Sequence, residues 1–279
     1  MKISLMSKLL MSVAVATIAL SANTSIDNKL LVNYIKSTVV KNPQVKINGV
    51  TVIESTTNAQ LKGWKILFTT MDLEYQKREI HAPEIMFVKD GLITGQLTDL
   101  ATGKSYRDLL RPSVPKSYYN DAHLIFGNKD AKHKVLVFSD PQCPFCQQVV
   151  PDIMKVAKEH PTKIALYYYH LPLLRIHPVS GVLTRIMHVA QTEKKMDVLE
   201  KIYGLKIDPK ETNVTKILAA VQKHTGYSVS ASKIDAKEVK EALKGDELAS
   251  SKMMVNGTPT VYIDGKWDKT RTLYKKLVK

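Results

Sequence analysis

The sequence predicts an α/β domain in the second half of the chain, preceded by a smaller α+β domain. Three observations support this prediction. Strand-like apolar segments alternate with helix-compatible segments after residue 121, polar and apolar residues alternate between residues 45 and 93, and a proline-containing stretch separates the two regions. A chain of 279 residues with 44% hydrophobic content has room for two domains as easily as one, and we predict two.

Residues 1–22 have the pattern of a secretory signal peptide. Lys2 and Lys8 give a basic start, an apolar run follows, and small residues surround the cleavage site expected at Ser21 or Ala22. The apolar run is shorter than the about 20 residues that a membrane-spanning helix needs. No cysteine follows it, which argues against a lipid anchor. We therefore expect a protein exported to the bacterial periplasm.

Residues 23–101 form the predicted N-terminal domain, of the α+β type. Asp27 is placed to cap a helix that ends before Pro43. Strands are expected from Val45 to Ile53 and from Trp64 to Met71, because polar and apolar residues alternate there.

The N-terminal domain has no expected catalytic group. It contains no cysteine, and His81 lies between charged and proline neighbours, as a surface histidine would. Its sheet, with a hairpin turn expected at residues 89–92, is therefore assigned to assembly or client binding. Residues 102–120, which include Pro112 and Pro115, are predicted to form a linker.

Residues 121–279 form the predicted catalytic domain. Its expected order is strand, helix, strand, a helical insertion, two strands and a short C-terminal helix. The expected elements are strand 135–138, a helix from 144 to about 160, strand 164–170, helical segments at 178–203, 213–224 and 236–249, strands near 260, and a helix up to 279.

The two cysteines of the chain lie in one motif, Cys143-Pro144-Phe145-Cys146, directly after a strand-like apolar run. A disulfide between them closes too short a loop to stabilise the fold much, and a structural zinc site needs four ligands. The motif therefore predicts thiol–disulfide exchange. We expect Cys143 to cap the following helix as a stabilised thiolate, Pro144 to occupy the first helical position, and Cys146 to be the buried resolving thiol.

Four further residues are expected near the dithiol and have open or conditional roles. Phe145 is expected either to form an apolar rim of the site or to pack in the core. Thr258 and Pro259 precede a strand, and beside a dithiol we expect a cis peptide there whose backbone pairs with an extended client, rather than an ordinary turn proline. Asp140 either relays protons near Cys146 or caps the turn, and the second role is the commoner one.

The charge of the chain does not predict nucleic-acid binding. The formal net charge is +15, but only six of the 41 basic residues are arginine, and the lysines are spread along the chain. We expect a solvated basic surface, which favours acidic or unfolded clients or membrane head groups.

The motif Phe138-Ser139-Asp140-Pro141-Gln142-Cys143-Pro144-Phe145-Cys146, together with Gly257-Thr258-Pro259, resembles the dimeric periplasmic disulfide isomerases DsbC and DsbG, and DsbG more closely. The resemblance implies a thioredoxin fold with a helical insertion, preceded by a cystatin-like dimerisation domain. It also implies a V-shaped homodimer, a nucleophile at Cys143, a resolving thiol at Cys146, a cis-proline pair at Thr258 and Pro259, and no cofactor.

The chain departs from that family in three ways. It lacks the second, structural disulfide of DsbC, its linker contains Pro112 and Pro115, and its N-terminal domain is longer than in the enteric proteins. The expected function is isomerisation or reduction of non-native disulfides, with a DsbD-like reducing partner. A dimeric oxidase recharged by a DsbB-like partner and a holdase chaperone are the alternatives.

Overall fold

The computed structural model describes residues 27–278, so the predicted signal peptide lies outside the described residues. Two compact units are separated by a boundary between Lys41 and Asn42. In the first unit, helix α1 (Asn28–Tyr34) is followed by one π-helical turn (Ile35–Val39), and the Asp27 carboxylate accepts a hydrogen bond from the backbone N–H of Lys29. No helix within residues 27–278 is long and apolar enough to cross a membrane.

The second unit begins with a four-stranded antiparallel sheet. Its strands follow one another in space as they do in sequence: β1 (Lys46–Thr57), β2 (Lys65–Tyr75), β3 (Arg78–Lys89) and β4 (Leu92–Thr94). The two strands expected from alternation overlap β1 and β2, and each was expected to begin one residue earlier. The hairpin turn joins β3 to β4 as expected. One apolar cluster on this sheet includes Ile66, Phe68, Ile85 and Phe87.

The segment between the two sheets has little regular structure. It contains the one-turn helix α2 (Tyr106–Leu109) and a 3₁₀ turn (Lys116–Tyr118). Tyr106 is buried in the apolar cluster of the first sheet, and the Arg107 guanidinium forms an ion pair with Glu84. The first part of this segment therefore packs against the first sheet.

The second sheet is mixed and has the order β5-β7-β6-β8-β9. Strand β6 lies at its centre, parallel to β7 and antiparallel to β8. The strands are β5 (Leu124–Phe126), β6 (His133–Ser139), β7 (Ile164–His170), β8 (Thr260–Ile263) and β9 (Lys266–Asp268). This arrangement with the helix between β6 and β7 is a thioredoxin fold, as predicted.

Six helices accompany this sheet. They are α3 (Pro144–Glu159), α4 (Ser180–Thr192), α5 (Met196–Ile202), α6 (Val214–Thr225), α7 (Ala231–Ile234) and α8 (Lys237–Lys252). The helical insertion and the two strands after it, β8 and β9, were predicted, whereas the one-turn helix α7 and the three-residue strand β5 were not. The expected C-terminal helix is a 3₁₀ turn, Leu273–Lys276.

The side-chain alternation of β6 divides the core of this domain between the two faces of the sheet. Val135 and Val137 belong to the cluster that also contains α3 and α4 residues. Leu136 and Phe138 belong to the opposite cluster, which contains Met253 near the end of α8. Both faces of β6 are therefore covered, and its carboxyl end holds the cysteine motif in place.

The first sheet contacts the segment that leads into Thr258. Met254 is buried in the apolar cluster of the first sheet, and the Ser251 hydroxyl donates a hydrogen bond to the His81 carbonyl at 2.9 Å. Arg111 adds a hydrogen bond to the Asn256 side chain at 3.2 Å. The backbone that precedes the Thr258–Pro259 peptide is therefore held by residues distant in sequence.

Candidate active site

The cysteine motif begins where β6 ends. The backbone N–H of Cys143 donates to the Asp140 carbonyl at 3.1 Å, and the N–H of Gln142 donates to the Asp140 carboxylate at 2.8 Å. These bonds close a tight turn, after which Cys143 occupies the N-cap position of α3 and Pro144 its first helical position. At an N-cap the sulfur faces unpaired backbone N–H groups and the positive end of the helix dipole.

The two thiols differ in burial and in acidity. Cys143 is 6% exposed and Cys146 is fully buried, and both are free thiols. The hydrogen bond with Cys146 lowers the pKa of Cys143 to about 5, and the Thr258 side chain and the backbone N–H groups of Cys146 and Phe145 act in the same direction. Burial raises the pKa of Cys146, and so does its hydrogen bond to Cys143. At neutral pH the pair is a thiolate beside a thiol.

Thr258 and Pro259 lie against the nucleophilic sulfur. Their peptide bond is cis, and the Thr258 carbonyl accepts a hydrogen bond from the Cys143 thiol at 3.4 Å. The buried Thr258 hydroxyl has no other partner among the described residues, and after the hydrogen bond from Cys146 it is the next side chain that lowers the pKa of Cys143. This hydroxyl is therefore available to the Cys143 thiolate.

Exposed apolar side chains lie on the cysteine motif and on the loop that is hydrogen-bonded to it through Asp140. Phe145 is 61% exposed, so of its two expected roles the rim of the site is favoured over core packing. Leu174 and Ile176 are also largely exposed, on the loop that follows β7. Sequence reasoning missed these two residues, although three large apolar residues between Pro172 and Pro178, a segment bounded by prolines, were a usable signal.

Asp140 ties this loop to the cysteine motif. Its fully buried carboxylate accepts hydrogen bonds from the backbone N–H groups of Gln142 and Leu173, from His177 Nδ1 and from the Ser180 hydroxyl. Both carboxylate oxygens are therefore occupied by donors other than Cys146. Of the two alternatives for Asp140, this geometry favours the structural one.

No group of three or more His, Cys, Asp and Glu side chains within residues 27–278 is arranged to hold a metal ion.

A family model described as Thioredoxin matches residues 119–279. The chain belongs to the thioredoxin family. With a Cys-Pro-Phe-Cys dithiol of unequal acidity at its strand–helix junction, this thioredoxin-family region is a thiol–disulfide oxidoreductase domain.

Known proteins are similar to part of this chain, and the chain covers about a quarter of the length of the first of them. The Na(+)/H(+) antiporter NhaA 1 of Mycobacterium sp. (strain KMS) is 24% identical over 166 residues, which are 57% of this chain and 26% of the antiporter. Probable disulfide bond formation protein D of Bacillus anthracis is 25% identical over 148 residues, 50% of this chain and 68% of that protein. The structure of oxidised BdbD from Bacillus subtilis aligns with a TM-score of 0.47 at 19% identity, covering 60% of this chain and 92% of BdbD.

The acidity of Cys143 predicts its reactivity with pH. Since the thiolate is the reacting species, alkylation of the reduced protein by iodoacetamide should have its midpoint near pH 5 rather than near 9.0. The rate is measured between pH 3 and 10, with the modified cysteine identified by mass spectrometry.

The lowered pKa of Cys143 also predicts how the stability of the reduced protein depends on pH. A lowered pKa stabilises the folded state fully only above the pKa that the thiol has in the unfolded chain. The folded dithiol form should therefore lose stability as the pH falls from about 9 towards 5.

Variants of Cys146 provide the matched control for this reactivity. Cys146→Ala removes the hydrogen bond that lowers the Cys143 pKa most, so its midpoint should move upward. Cys146→Ser keeps a hydroxyl donor and should move the midpoint less. A wild-type midpoint near 9 would contradict the geometry described for the thiolate.

Proposed function

We propose that this protein is a periplasmic thiol:disulfide interchange protein that isomerises or reduces non-native disulfides in exported proteins. The observation that carries this proposal is the pairing of an acidic Cys143, 6% exposed, with a fully buried, poorly acidic Cys146 at the start of α3. In such a pair Cys143 attacks the client disulfide, and Cys146 releases the client by attacking the mixed disulfide.

Each step of the reaction exchanges one disulfide bond for another, so the number of S–S bonds and the number of protons stay the same. The Cys143 thiolate attacks one sulfur of a client disulfide, a mixed disulfide forms, and the other client sulfur leaves as a thiolate. In isomerisation a different client thiolate attacks the client sulfur of the mixed disulfide, so that a new client disulfide forms and Cys143 leaves as a thiolate. In reduction Cys146 attacks Cys143, and the client leaves as a dithiol while the enzyme keeps the disulfide.

Client binding is assigned to the surface around Cys143. Pro144 and Phe145 supply an exposed apolar rim, and the backbone at Thr258 and Pro259 lies beside the sulfur, where an extended client segment could pair with it. Backbone pairing selects unfolded segments rather than a particular sequence. Unfolded or misoxidised exported proteins fit this mode of binding.

The finer assignment is to the DsbC and DsbG type, as a homodimer joined through the N-terminal domain of residues 23–101. A sheet without cysteine in front of an oxidoreductase domain supports a role in assembly. Sedimentation of the reduced full-length mature chain at several concentrations tests this assembly. A monomer at all concentrations would contradict the proposed homodimer. It would not affect the proposed thiol–disulfide exchange activity.

A second function, a dimeric disulfide oxidase, is favoured by the lowered pKa of Cys143. A stabilised thiolate stabilises the reduced protein and makes its disulfide more oxidising. The isomerase or reductase requires a DsbD-like membrane partner that keeps the dithiol reduced, whereas the oxidase requires a DsbB-like partner that restores the disulfide. The exposed apolar rim also fits a holdase chaperone.

The redox state of the pair in cells tests the direction of electron flow. Cells are quenched in acid, free thiols are trapped with a size-shifting alkylating reagent, and the two forms are separated by gel mobility. A mostly reduced population is expected for the isomerase or reductase. A mostly oxidised population would establish the oxidase in its place.

A further inference from the structure

Three buried hydroxyl groups lie together beneath the resolving thiol. The Tyr203 hydroxyl is 2.7 Å from the Ser139 hydroxyl and 2.7 Å from the Tyr168 hydroxyl. We call these three groups the hydroxyl cluster. Ser139 is the last residue of β6, Tyr168 lies on β7, and Tyr203 follows α5, so three separate elements bring them together.

The hydroxyl cluster is enclosed within the protein. Ser139 and Tyr168 are fully buried, Tyr203 is 3% exposed, and both tyrosines belong to the same core cluster as Cys146. Burial raises the pKa of both tyrosines, so these groups remain protonated donors. The cluster therefore offers hydrogen-bond donors and no ionised group.

Ser139 connects the hydroxyl cluster to the resolving thiol. The Tyr203 hydroxyl contacts both Ser139 and Tyr168, and the Ser139 and Tyr168 side chains also interact, so Ser139 is held from two sides. Burial is the largest effect on the pKa of Cys146 and raises it, whereas a hydrogen bond from the Ser139 side chain lowers it. Ser139 is therefore the member of the cluster that acts on the Cys146 sulfur.

We propose that the hydroxyl cluster holds Cys146 ready for attack on the mixed disulfide, with Ser139 as the donor to its sulfur and with Tyr203 and Tyr168 as positioning residues that orient Ser139. This inference rests on the proposed function, since it concerns the step in which Cys146 acts. The carboxylate of Asp140 does not take this role, because both its oxygens are engaged by other donors.

The cluster matters most after the client is bound. In the free dithiol the hydrogen bond to Cys143 and its negative charge raise the pKa of Cys146. In the mixed disulfide Cys143 is uncharged, so both effects disappear and the donation from Ser139 remains. Cys146 then forms a bond to Cys143 as the bond from Cys143 to the client breaks, and the proton given up by Cys146 ends on the departing client thiolate.

Reaction with the aromatic disulfide 5,5′-dithiobis(2-nitrobenzoic acid) separates the two cysteines. Attack by Cys143 releases a first coloured thiolate, and attack by Cys146 on the mixed disulfide releases a second. In Tyr203→Phe and Ser139→Ala the first phase should keep its rate within about twofold. The second phase should slow about tenfold, with its pH midpoint shifted upward, because a hydrogen bond to a charged group is lost.

Two matched variants control for effects of packing. Tyr169→Phe removes a hydroxyl from the neighbouring residue of β7 on the opposite face, where it donates to the Tyr118 carbonyl at 2.8 Å, and should leave the second phase unchanged. Ser139→Thr keeps the hydroxyl and should restore the rate lost in Ser139→Ala. If Ser139→Ala does not fold, Tyr203→Phe decides alone, because it keeps the ring.

An unchanged second phase in the folded Tyr203→Phe and Ser139→Ala variants would overturn the role of the hydroxyl cluster. Equal slowing in Tyr169→Phe would also overturn it, because the effect would then be one of packing. Failure of the proposed function is a different result. It would appear in the wild type, as a missing first phase or as only one equivalent of released thiolate.

Discussion

Cys143→Ser should abolish disulfide exchange. A serine hydroxyl ionises far too weakly to act in place of a thiolate whose pKa is about 5, so the rate of client disulfide reduction should fall by about 10³-fold or more. Cys143 occupies a helix N-cap, where serine is a preferred residue, and the serine side chain is smaller than that of cysteine, so the variant should fold. The measurement is the rate at which reduced protein cleaves a fluorescent peptide disulfide, with folding checked by circular dichroism.

The Cys146→Ser variant is the matched control for Cys143→Ser. It keeps the nucleophile and loses the thiol that releases the client, so it should accumulate a mixed disulfide with Cys143 that is visible on non-reducing gels. If Cys143→Ser still cleaved the peptide while Cys146→Ser did not, the assignment of the two thiols would be reversed.

The same Cys143→Ser variant separates redox chemistry from chaperone activity. The exposed side chains of Phe145, Leu174 and Ile176 remain in it, so suppression of client aggregation should persist. If aggregation suppression is all that the wild type performs, the holdase function replaces the enzymatic one.

The cysteine motif could be predicted from sequence because its structure is local. Apolar residues before it form β6, and a proline directly after Cys143 fits the first turn of a helix. The helices of the insertion are long enough for their 3.6-residue period to show. The unpredicted strand β5 has three residues, which is too short for a period of two to be recognised.

Contacts between distant residues could not be predicted. The hydrogen bond between Ser139 and Tyr203 joins positions 64 apart in sequence, and the one between Asp140 and Ser180 joins positions 40 apart. Met254, which lies in the apolar cluster of the first sheet, has no sequence pattern that indicates its partner. Such contacts depend on how the elements pack, and residue types alone leave that packing open.

Asp140→Ala should destabilise the protein by about 4 kcal/mol. The substitution leaves two backbone N–H groups, of Gln142 and Leu173, buried without their acceptor, and each such group costs about 1–3 kcal/mol. The bonds from His177 and Ser180 are lost as well, although these side chains can rotate to new partners. Urea unfolding of the reduced protein measures the change. The exposed Asp208, which accepts one hydrogen bond from the Lys210 backbone, is the control, and Asp208→Ala should cost less than about 1 kcal/mol.

Asp140→Ala also separates the two roles considered for this residue. If Asp140 is structural, the variant should lose stability, while its folded fraction should still release two equivalents of thiolate from 5,5′-dithiobis(2-nitrobenzoic acid), with a second phase close to the wild-type rate. A proton relay through this carboxylate would instead slow the second phase and leave stability near that of the wild type. The four donors on Asp140 favour the structural role, because they come from the cysteine motif, from the loop after β7 and from α4. Two of them, the Leu173 N–H and His177, attach the loop that carries Leu174 and Ile176 to the cysteine motif. Loss of Asp140 should therefore make that loop the first part of the oxidoreductase domain to show faster amide hydrogen exchange.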